Sequence, residues 1–363
     1  MENIGSKIKH GAHIMLVSIL VGANAATILL LWATCLSTML SPTLHPRLSQ
    51  AGLLFPVFLT LDLLFIVVWG IVSWKWIVLP IIGVLGCWGY VRDYCPVNLS
   101  KETQEVGFHI MSYNVSNFAV DSANDLDGWK VMQYVTESNA DIIFLQECAK
   151  AGKAYAAMEH KFDSLGYDIK GKDGMYIISK WPFVGKNVFS TTTDYSNGSY
   201  AWMIDLDGDT ILAINNHLQS NLISPEEKQQ YGNALASYDK DKMESSGRIL
   251  LSRLSHAASE RETQTDSLCN LIKRHSHYSI IHAGDHNDTP ISNTCQRISK
   301  LLKNAYTESG NGLGISFAVK GFPVRIDHIY VSNNLKTHST FIDTEAYGSD
   351  HRPIHTWVYK SAK

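Results

Sequence analysis

Ser279-Ile280-Ile281-His282-Ala283-Gly284-Asp285-His286-Asn287 is an apolar run that ends in a glycine, a carboxylate, an imidazole and an amide. A strand-length run rich in β-branched residues and bounded by turn formers reads as a buried β-strand. Polar side chains set at the end of such a strand stand at the rim of a sheet, held rigidly yet open to substrate. The pattern recurs on both sides in the chain. Phe108 to Tyr113 runs into Asn114, Ile142 to Leu145 into Gln146-Glu147, and Ile211 to Ile214 into Asn215-Asn216-His217. Asp327 opens the run Ile326 to Val331, and Ser349-Asp350-His351 precedes Ile354 to Tyr359. Met175 to Ile178 and Tyr200 to Leu206 are further strand-length runs.

Helices fall between some of these strands. Leu250, Leu251, Leu254, Ala257 and Ala258 share one helical face that continues towards Leu268 and Ile272, and Ser292 is a good N-cap for a helix reaching about Leu302. Alternating strands and helices over residues 106–363 predict one α/β domain with a large core. No internal repeat or low-complexity segment is visible.

The first hundred residues differ in kind. Ile14 to Leu40 carries no charge, Ala51 to Val72 carries only Asp62, and a shorter apolar run covers Trp76 to Val91. A bilayer-spanning helix takes about 20 apolar residues. The first two runs reach that length and the third borders on it, so residues 1–92 predict a transmembrane anchor of about three helices. Trp69, Trp74, Trp76, Trp88 and Tyr90 near the run ends suit an interfacial aromatic belt. Ala23-Asn24-Ala25 has the form of a signal-peptide cleavage site, but it sits inside one unbroken apolar run, which favours a retained helix. Lys7, Lys9 and Lys75 would share one membrane side, against Arg47, Arg92 and Lys101 on the other. The paired N-terminal lysines set the expectation of a multi-pass membrane protein with its large domain extracytoplasmic. Asp62, mid-span, is either a functional intramembrane carboxylate or one paired for packing. Residues 93–105, polar and containing Pro96, read as a linker.

Charge narrows the partners. Of 31 basic and 34 acidic residues, five and three precede residue 101, leaving 26 against 31 in the rest. That surface lacks the basic excess typical of nucleic-acid binding. The six cysteines form no CxxC pair, so they suggest buried thiols rather than a zinc site; Cys269 and Cys295 are the one pair an oxidising compartment would join.

Ser112-Tyr113-Asn114, Leu145-Gln146-Glu147, Asn216-His217, Gly284-Asp285-His286-Asn287, Arg325-Ile326-Asp327-His328-Ile329 and Ser349-Asp350-His351-Arg352-Pro353 together resemble the endonuclease/exonuclease/phosphatase superfamily. The resemblance spans residues 112–353. It implies two packed mixed β-sheets flanked by helices, a four-layer sandwich following the transmembrane anchor, and hydrolysis of phosphoester bonds with Mg²⁺ (or Mn²⁺). Residue by residue it implies Glu147 as the main metal ligand, with Asn114 supporting it and Asp350 a further candidate. Asp285 would orient or deprotonate water, and Asn287 would hold that water or a phosphoryl oxygen. His351, oriented by Asp327, would stabilise the pentavalent phosphorus, and His217 would meet the phosphate from the other side. The chain departs from the pattern at His286, where many relatives carry an aromatic, and at Ser116, where some nucleases carry Asp.

A multi-span anchor beside a non-basic catalytic domain sets the substrate expectation: a lipid-linked phosphate ester or pyrophosphate met at the bilayer. The arrangement is similar to that of teicoplanin-resistance membrane proteins of the same superfamily. A surface-anchored nuclease acting on nucleic acid is the less favoured reading, and a non-catalytic binding module the least.

Overall fold

The computed structural model describes residues 4–99, 107–119, 126–148, 150, 152–192, 197–221, 233, 237, 240–318 and 323–360. The chain divides into two compact units, Met1–Arg92 and Asp93–Lys363.

The first unit is helical. It holds α1 (Ile4–Ser37), α2 (Phe55–Val72) preceded by a 3₁₀ segment (Leu48–Leu54), α3 (Val78–Gly86) and the start of α4 (Trp88–Tyr94). Two helices, Lys7–Ser37 and Leu48–Val72, are long and apolar enough to cross a membrane; the pair Trp74–Gly86 and Trp88–Tyr94, bent by 69°, makes up to a third span. The third apolar run is therefore broken rather than straight. The fully buried Asp62 accepts from Asn24 Nδ2 at 2.9 Å, and Asn24 Oδ1 accepts from Trp69 Nε1 at 2.9 Å. Asn24 thus belongs to a polar contact joining α1 to α2, and a Cβ on Gly83 of α3 would lie 2.4 Å from Asp62 Oδ2. Asp62 is thus paired inside the bundle through Oδ1, while its Oδ2 is buried without a hydrogen-bond partner among the described residues.

The second unit contains twelve strands among the described residues: β1 (Phe108–Asn114), β2 (Ile142–Gln146), β3 (Asp168–Lys172), β4 (Met175–Ser179), β5 (Phe183–Thr192), β6 (Gly198–Leu206), β7 (Asp209–His217), β8 (Ser279–Asp285), β9 (Lys303–Asn304), β10 (Asp327–Val331), β11 (Leu335–Ile342) and β12 (Ile354–Lys360). They form two six-stranded mixed sheets, ordered β11-β12-β1-β2-β4-β3 and β5-β6-β7-β8-β10-β9. Each sheet has one parallel pair at its centre, β1 with β2 and β7 with β8, and antiparallel neighbours elsewhere.

Side-chain alternation along the strands builds the layers. Ile110, Ile142, Phe144 and Ile177 of the first sheet meet Ile211, Ala213, Ile281 and Ile329 of the second in a shared core. The opposite face of the first sheet, with Met111, Ile143 and Ile178, packs on α5 (Leu126–Glu137) and α6 (Lys153–Ser164). The opposite face of the second, with Leu212 and Ile280, packs on α7 (Lys240–Arg274) and α8 (Asn293–Ser299). The result is the α/β sandwich of two mixed sheets between helices. A short helix, α9 (Ala305–Ser309), follows β9. Ser292 caps α8 by accepting from Cys295 N at 3.2 Å. All six cysteines are free thiols, so Cys269 and Cys295 are not joined.

The start of the expected linker is tied down. Asp93 Oδ2 accepts from Gln296 at 2.8 Å, Pro96 O from Gly312 N at 2.9 Å, and Asn98 Nδ2 donates to Gly310 O at 2.6 Å. The remainder of that segment, from residue 100 to 105, lies outside the described residues.

Candidate active site

The same alternation that builds the core also assembles the site. On β1 the inward positions are Ile110, Ser112 and Asn114; on β7 they are Ile211, Ala213, Asn215 and His217; on β8 they are Ile281, Ala283 and Asp285. Where the parallel central strands of the two sheets end, the inward alternation switches from apolar to polar, and Asn114, His217 and Asp285 converge between them. Ligands commonly sit beyond the carboxyl ends of parallel strands. One layer deeper, Gln146 Nε2 donates to Asn215 Oδ1 at 2.7 Å, and Asn215 Nδ2 donates to Leu145 O and Tyr176 O at 2.9 Å each. These buried amides bind the sheets together under the site.

Asn114 Nδ2 donates to Glu147 Oε1 at 3.0 Å and to Asp285 Oδ2 at 3.1 Å. His217 Nε2 lies 3.4 Å from Glu147 Oε1 and 3.8 Å from Asp285 Oδ2. On the far side of Asp285, His351 Nε2 stands 3.7 Å from Oδ2, while His351 Nδ1 is 2.9 Å from Asp327 Oδ2. One amide, two imidazoles and two further carboxylates therefore gather about Asp285, which is 1% exposed.

Burial pushes the Asp285 carboxyl above its usual range, opposed by the attraction of His351. Burial alone would lower His351, but Asp327 and Asp285 on its two sides overcome that and raise it to about 10. His351 is thus an imidazolium near neutral pH, with Nδ1 locked on Asp327 and Nε2 directed at the centre.

Among the described residues, two sets of side chains have ligand atoms within 4.8 Å of one another: Glu147, His217 and Asp285; and Asp285, Asp327 and His351. In the second set His351 Nδ1 is already taken by Asp327 and all three residues are buried, whereas Glu147 opens the first set to solvent, so the first set is the better cation site. Its two carboxylates share one Asn114 amide and an imidazole, and Glu147 is the member open to solvent, with 31% of its side chain exposed. That donor set fits a hard divalent cation, which takes oxygen ligands from one or two carboxylates and keeps its remaining waters.

Two sequence-predicted residues sit differently from expectation. Asp350, the further ligand candidate, is exposed and belongs to neither set; its backbone O accepts from Ala318 N at 3.3 Å. Asn287 has a left-handed φ of 50°, donates its side-chain Nδ2 to Leu218 O at 3.0 Å and its backbone N to Asp285 Oδ1 at 2.8 Å. It fixes Asp285 and the neighbouring loop, leaving Oδ1 and the second Nδ2–H for a water or phosphoryl oxygen.

Sequence reasoning missed the amides Gln146 and Asn215 as a sheet-to-sheet tie, although their positions one strand-end step from Glu147 and Asn216 were the available signal. It also missed a buried histidine group behind the site. His286 Nδ1 donates to Gly284 O at 2.9 Å, so its Nε2 accepts from His282 Nε2 at 2.8 Å. His328 Nε2 donates to Asp288 O at 3.1 Å. All three rings are neutral, and burial lowers the pKa of His286 to about 4. An unfolded histidine titrates near 6.5. The folded chain therefore binds fewer protons, and stability present above pH ~6.5 is lost as pH falls towards about 4, by about 3 kcal/mol from His286 alone. Urea midpoints measured between pH 7 and 4 check this: His286→Phe should flatten the slope, and an unchanged slope contradicts the assignment.

Gly284 explains the close join of β7 and β8. Its φ is +140°, and a Cβ there would lie 2.0 Å from Asn216 O, a backbone atom of a central strand. Gly284→Ala should cost about 4 kcal/mol or more, read as a collapse of the thermal midpoint.

Comparisons with known proteins agree with this architecture. Residues 17–94 match a model described as a domain of unknown function (DUF8431). Residues 111–351, more than half of the chain, match the model of the Endonuclease/Exonuclease/phosphatase family. No curated protein matches the chain. Among solved structures, an endonuclease/exonuclease/phosphatase from Beutenbergia cavernae DSM 12333 has a TM-score of 0.51 at 14% identity, covering 71% of this chain and 72% of its own. A family protein from Bacteroides thetaiotaomicron gives 0.47 at 18% identity, covering 72% and 100%. The human Nocturnin catalytic domain, solved with a bound sulfate, gives 0.49 at 14% identity, covering 70% and 94%. With its twelve strands in two mixed sheets and its polar strand ends gathered around Asp285, the chain belongs to the endonuclease/exonuclease/phosphatase family.

Proposed function

We propose that this protein is a divalent-metal-dependent phosphoesterase, held in a membrane by its N-terminal helices, that hydrolyses a lipid-linked phosphate ester or phosphoanhydride. The observation that carries the reading is the convergence of Glu147, His217 and Asp285 with the Asp327–His351 pair at one buried rim.

Glu147, supported by Asn114, would hold Mg²⁺ or Mn²⁺, which when bound would neutralise charge on the phosphoryl oxygens. The protein groups divide the remaining work. Asp285 accepts a proton from, or orients, the attacking water; its buried carboxyl, raised above the ordinary range, suits a base working near neutrality. His351 presents a positive Nε2–H to the negative charge on the phosphoryl oxygens of the pentavalent transition state, and Asp327 fixes its direction. His217 contacts the phosphate from the Glu147 side.

The lipid substrate rests on the two to three apolar helices joined to a catalytic unit with no basic excess. The paired lysines at the N-terminus favour a catalytic domain on the extracytoplasmic side. The test uses full-length protein in detergent with Mg²⁺, assayed on a long-chain isoprenyl phosphate and pyrophosphate, a phospholipid, and duplex and single-stranded DNA. Glu147→Ala and chelation with EDTA serve as controls. Metal-dependent phosphate or headgroup release supports the proposal; rapid DNA cleavage with no lipid turnover replaces it with a membrane-tethered nuclease.

A further inference from the structure

We propose that Arg261 is a positioning residue: β7 and β8 are paired as far as His217 and Asp285, and from α7 Arg261 clamps together the two loops that follow, holding Asn287 and, through it, the Asp285 carboxylate in place. The proposal rests on the functional reading above for its effect on turnover, and on geometry alone for its effect on the loops.

Arg261 is one of the largest fully buried side chains, 1% exposed, and it lies 27 residues before Asp288 on a different element. Its Nε donates to Asp288 Oδ2 at 3.2 Å, directly after Asn287. Its Nη1 donates to Gln219 O and to Asn221 Oδ1, both at 2.9 Å, in the loop that continues from His217. Asn221 Nδ2 donates in turn to Asn287 O at 3.3 Å, and Gln264, one turn along α7, accepts from Gln219 N at 2.9 Å. One planar guanidinium therefore joins the β7 loop to the β8 loop, with a second link through Asn221.

The joined loops carry the site. Asn287 occupies a left-handed conformation, at φ 50°, which asparagine adopts more readily than most L residues. Its backbone N–H holds Asp285 Oδ1, and its side chain holds Leu218 O, whose own N–H donates to Asp285 O at 2.9 Å. Fixing Asn287 O and Asp288 therefore fixes Asp285, and fixing Gln219 and Asn221 fixes the exit of His217. A buried Arg–Asp pair is weak evidence for net stability, because desolvation offsets much of the attraction. A fork that satisfies two loops at once is what a guanidinium supplies and an ammonium does not. The geometry thus assigns Arg261 to register between the two halves of the site.

The experiment uses full-length protein with bis(p-nitrophenyl) phosphate and Mg²⁺, and hydrogen exchange resolved by peptide. Arg261→Lys keeps the charge but has one nitrogen and cannot span both loops. It should lower kcat about tenfold to a hundredfold with KM within about threefold, because misplacement of reacting groups acts on the chemical step. Amides of Leu218 and Asn287 should lose protection while those of β2 and β7 keep theirs. Asn221→Ala removes the second link and one of the guanidinium bonds but leaves those to Gln219 O and Asp288, so it should give a smaller fall in kcat and the same local pattern. Unchanged kcat together with unchanged exchange at both loops overturns the proposal. So does protection lost evenly across both sheets, which would make Arg261 a general stability residue. Should the wild-type protein hydrolyse no phosphate ester, the functional reading fails, and the exchange measurement still decides the clamp.

Discussion

Asp285→Asn should leave a folded protein whose phosphoesterase kcat/KM is lower by about a thousandfold, within the range lost when a positioned acid–base group is removed. The substitution keeps size and shape at a position that is 1% exposed. It also removes a buried charge whose carboxyl is already pushed up by desolvation, so the penalty for its loss is small. His351 keeps Asp327 as its partner at 2.9 Å and stays in place. What disappears is the acceptor that stands between His217 and His351, 3.8 and 3.7 Å from their Nε2 atoms. Circular dichroism and the thermal midpoint establish that the fold is retained, and steady-state kinetics on the best substrate of the panel give the loss. Asp350→Asn is the matched comparison. The motif suggests Asp350 as a metal ligand, whereas the structure leaves it exposed and outside both ligand sets. Its removal should change kcat/KM by less than about threefold, in line with other exposed positions. A large loss at Asp350 with little at Asp285 would show that the centre is built elsewhere.

The strands that sequence made visible and those it hid differ by position in the sheet. Phe108 to Tyr113, Ile142 to Leu145, Met175 to Ile178, Tyr200 to Leu206, Ile211 to Ile214, Ser279 to Ala283, Ile326 to Val331 and Ile354 to Tyr359 all became strands with a neighbour on each side. The four that went unread are β3, β5, β9 and β11, which are the four sheet edges. Edge strands are paired on one side only and carry polar residues that discourage further pairing. Asp168-Ile169-Lys170-Gly171-Lys172 of β3 shows this, with no buried position in its five residues. Hydrophobic patterning therefore reports the sheet interior and loses its edges. The site was legible for a related reason: polar groups at the ends of interior strands stand out against an apolar run. Asp350 lies in a loop before its strand, where no alternation fixes the direction of a side chain, and there the motif alone gave no placement. The tie of Gln146 to Asn215 is a contact between sheets, which no local pattern encodes.

A catalytic fragment begun at residue 106, where composition places the domain edge, should be much less stable than one begun at residue 93. The difference lies in Arg325. Its side chain is buried, and its two terminal nitrogens donate to backbone carbonyls, Nη1 to Leu313 O at 2.9 Å and Nη2 to Asp93 O and to Tyr94 O at 3.3 Å, while Nε has no hydrogen-bond partner among the described residues. Its plane stacks on Tyr306, 4.2 Å from the ring centroid. Removing residues 93–98 takes away both acceptors of Nη2, together with Pro96 O for Gly312 and the Asn98 bonds to Thr307 O and Gly310 O. A buried cation that loses its partners costs about 3–5 kcal/mol. For a domain of this size that corresponds to a thermal midpoint lower by about 10 °C. The strain would not stay local, since Arg325 is two residues from Asp327, whose carboxylate holds His351. The 106–363 fragment should therefore also lose turnover per folded molecule, while 93–363 keeps both. Equal thermal midpoints for the two fragments would show that residues 93–98 merely lie against the domain, and that Arg325 finds other acceptors when they are gone.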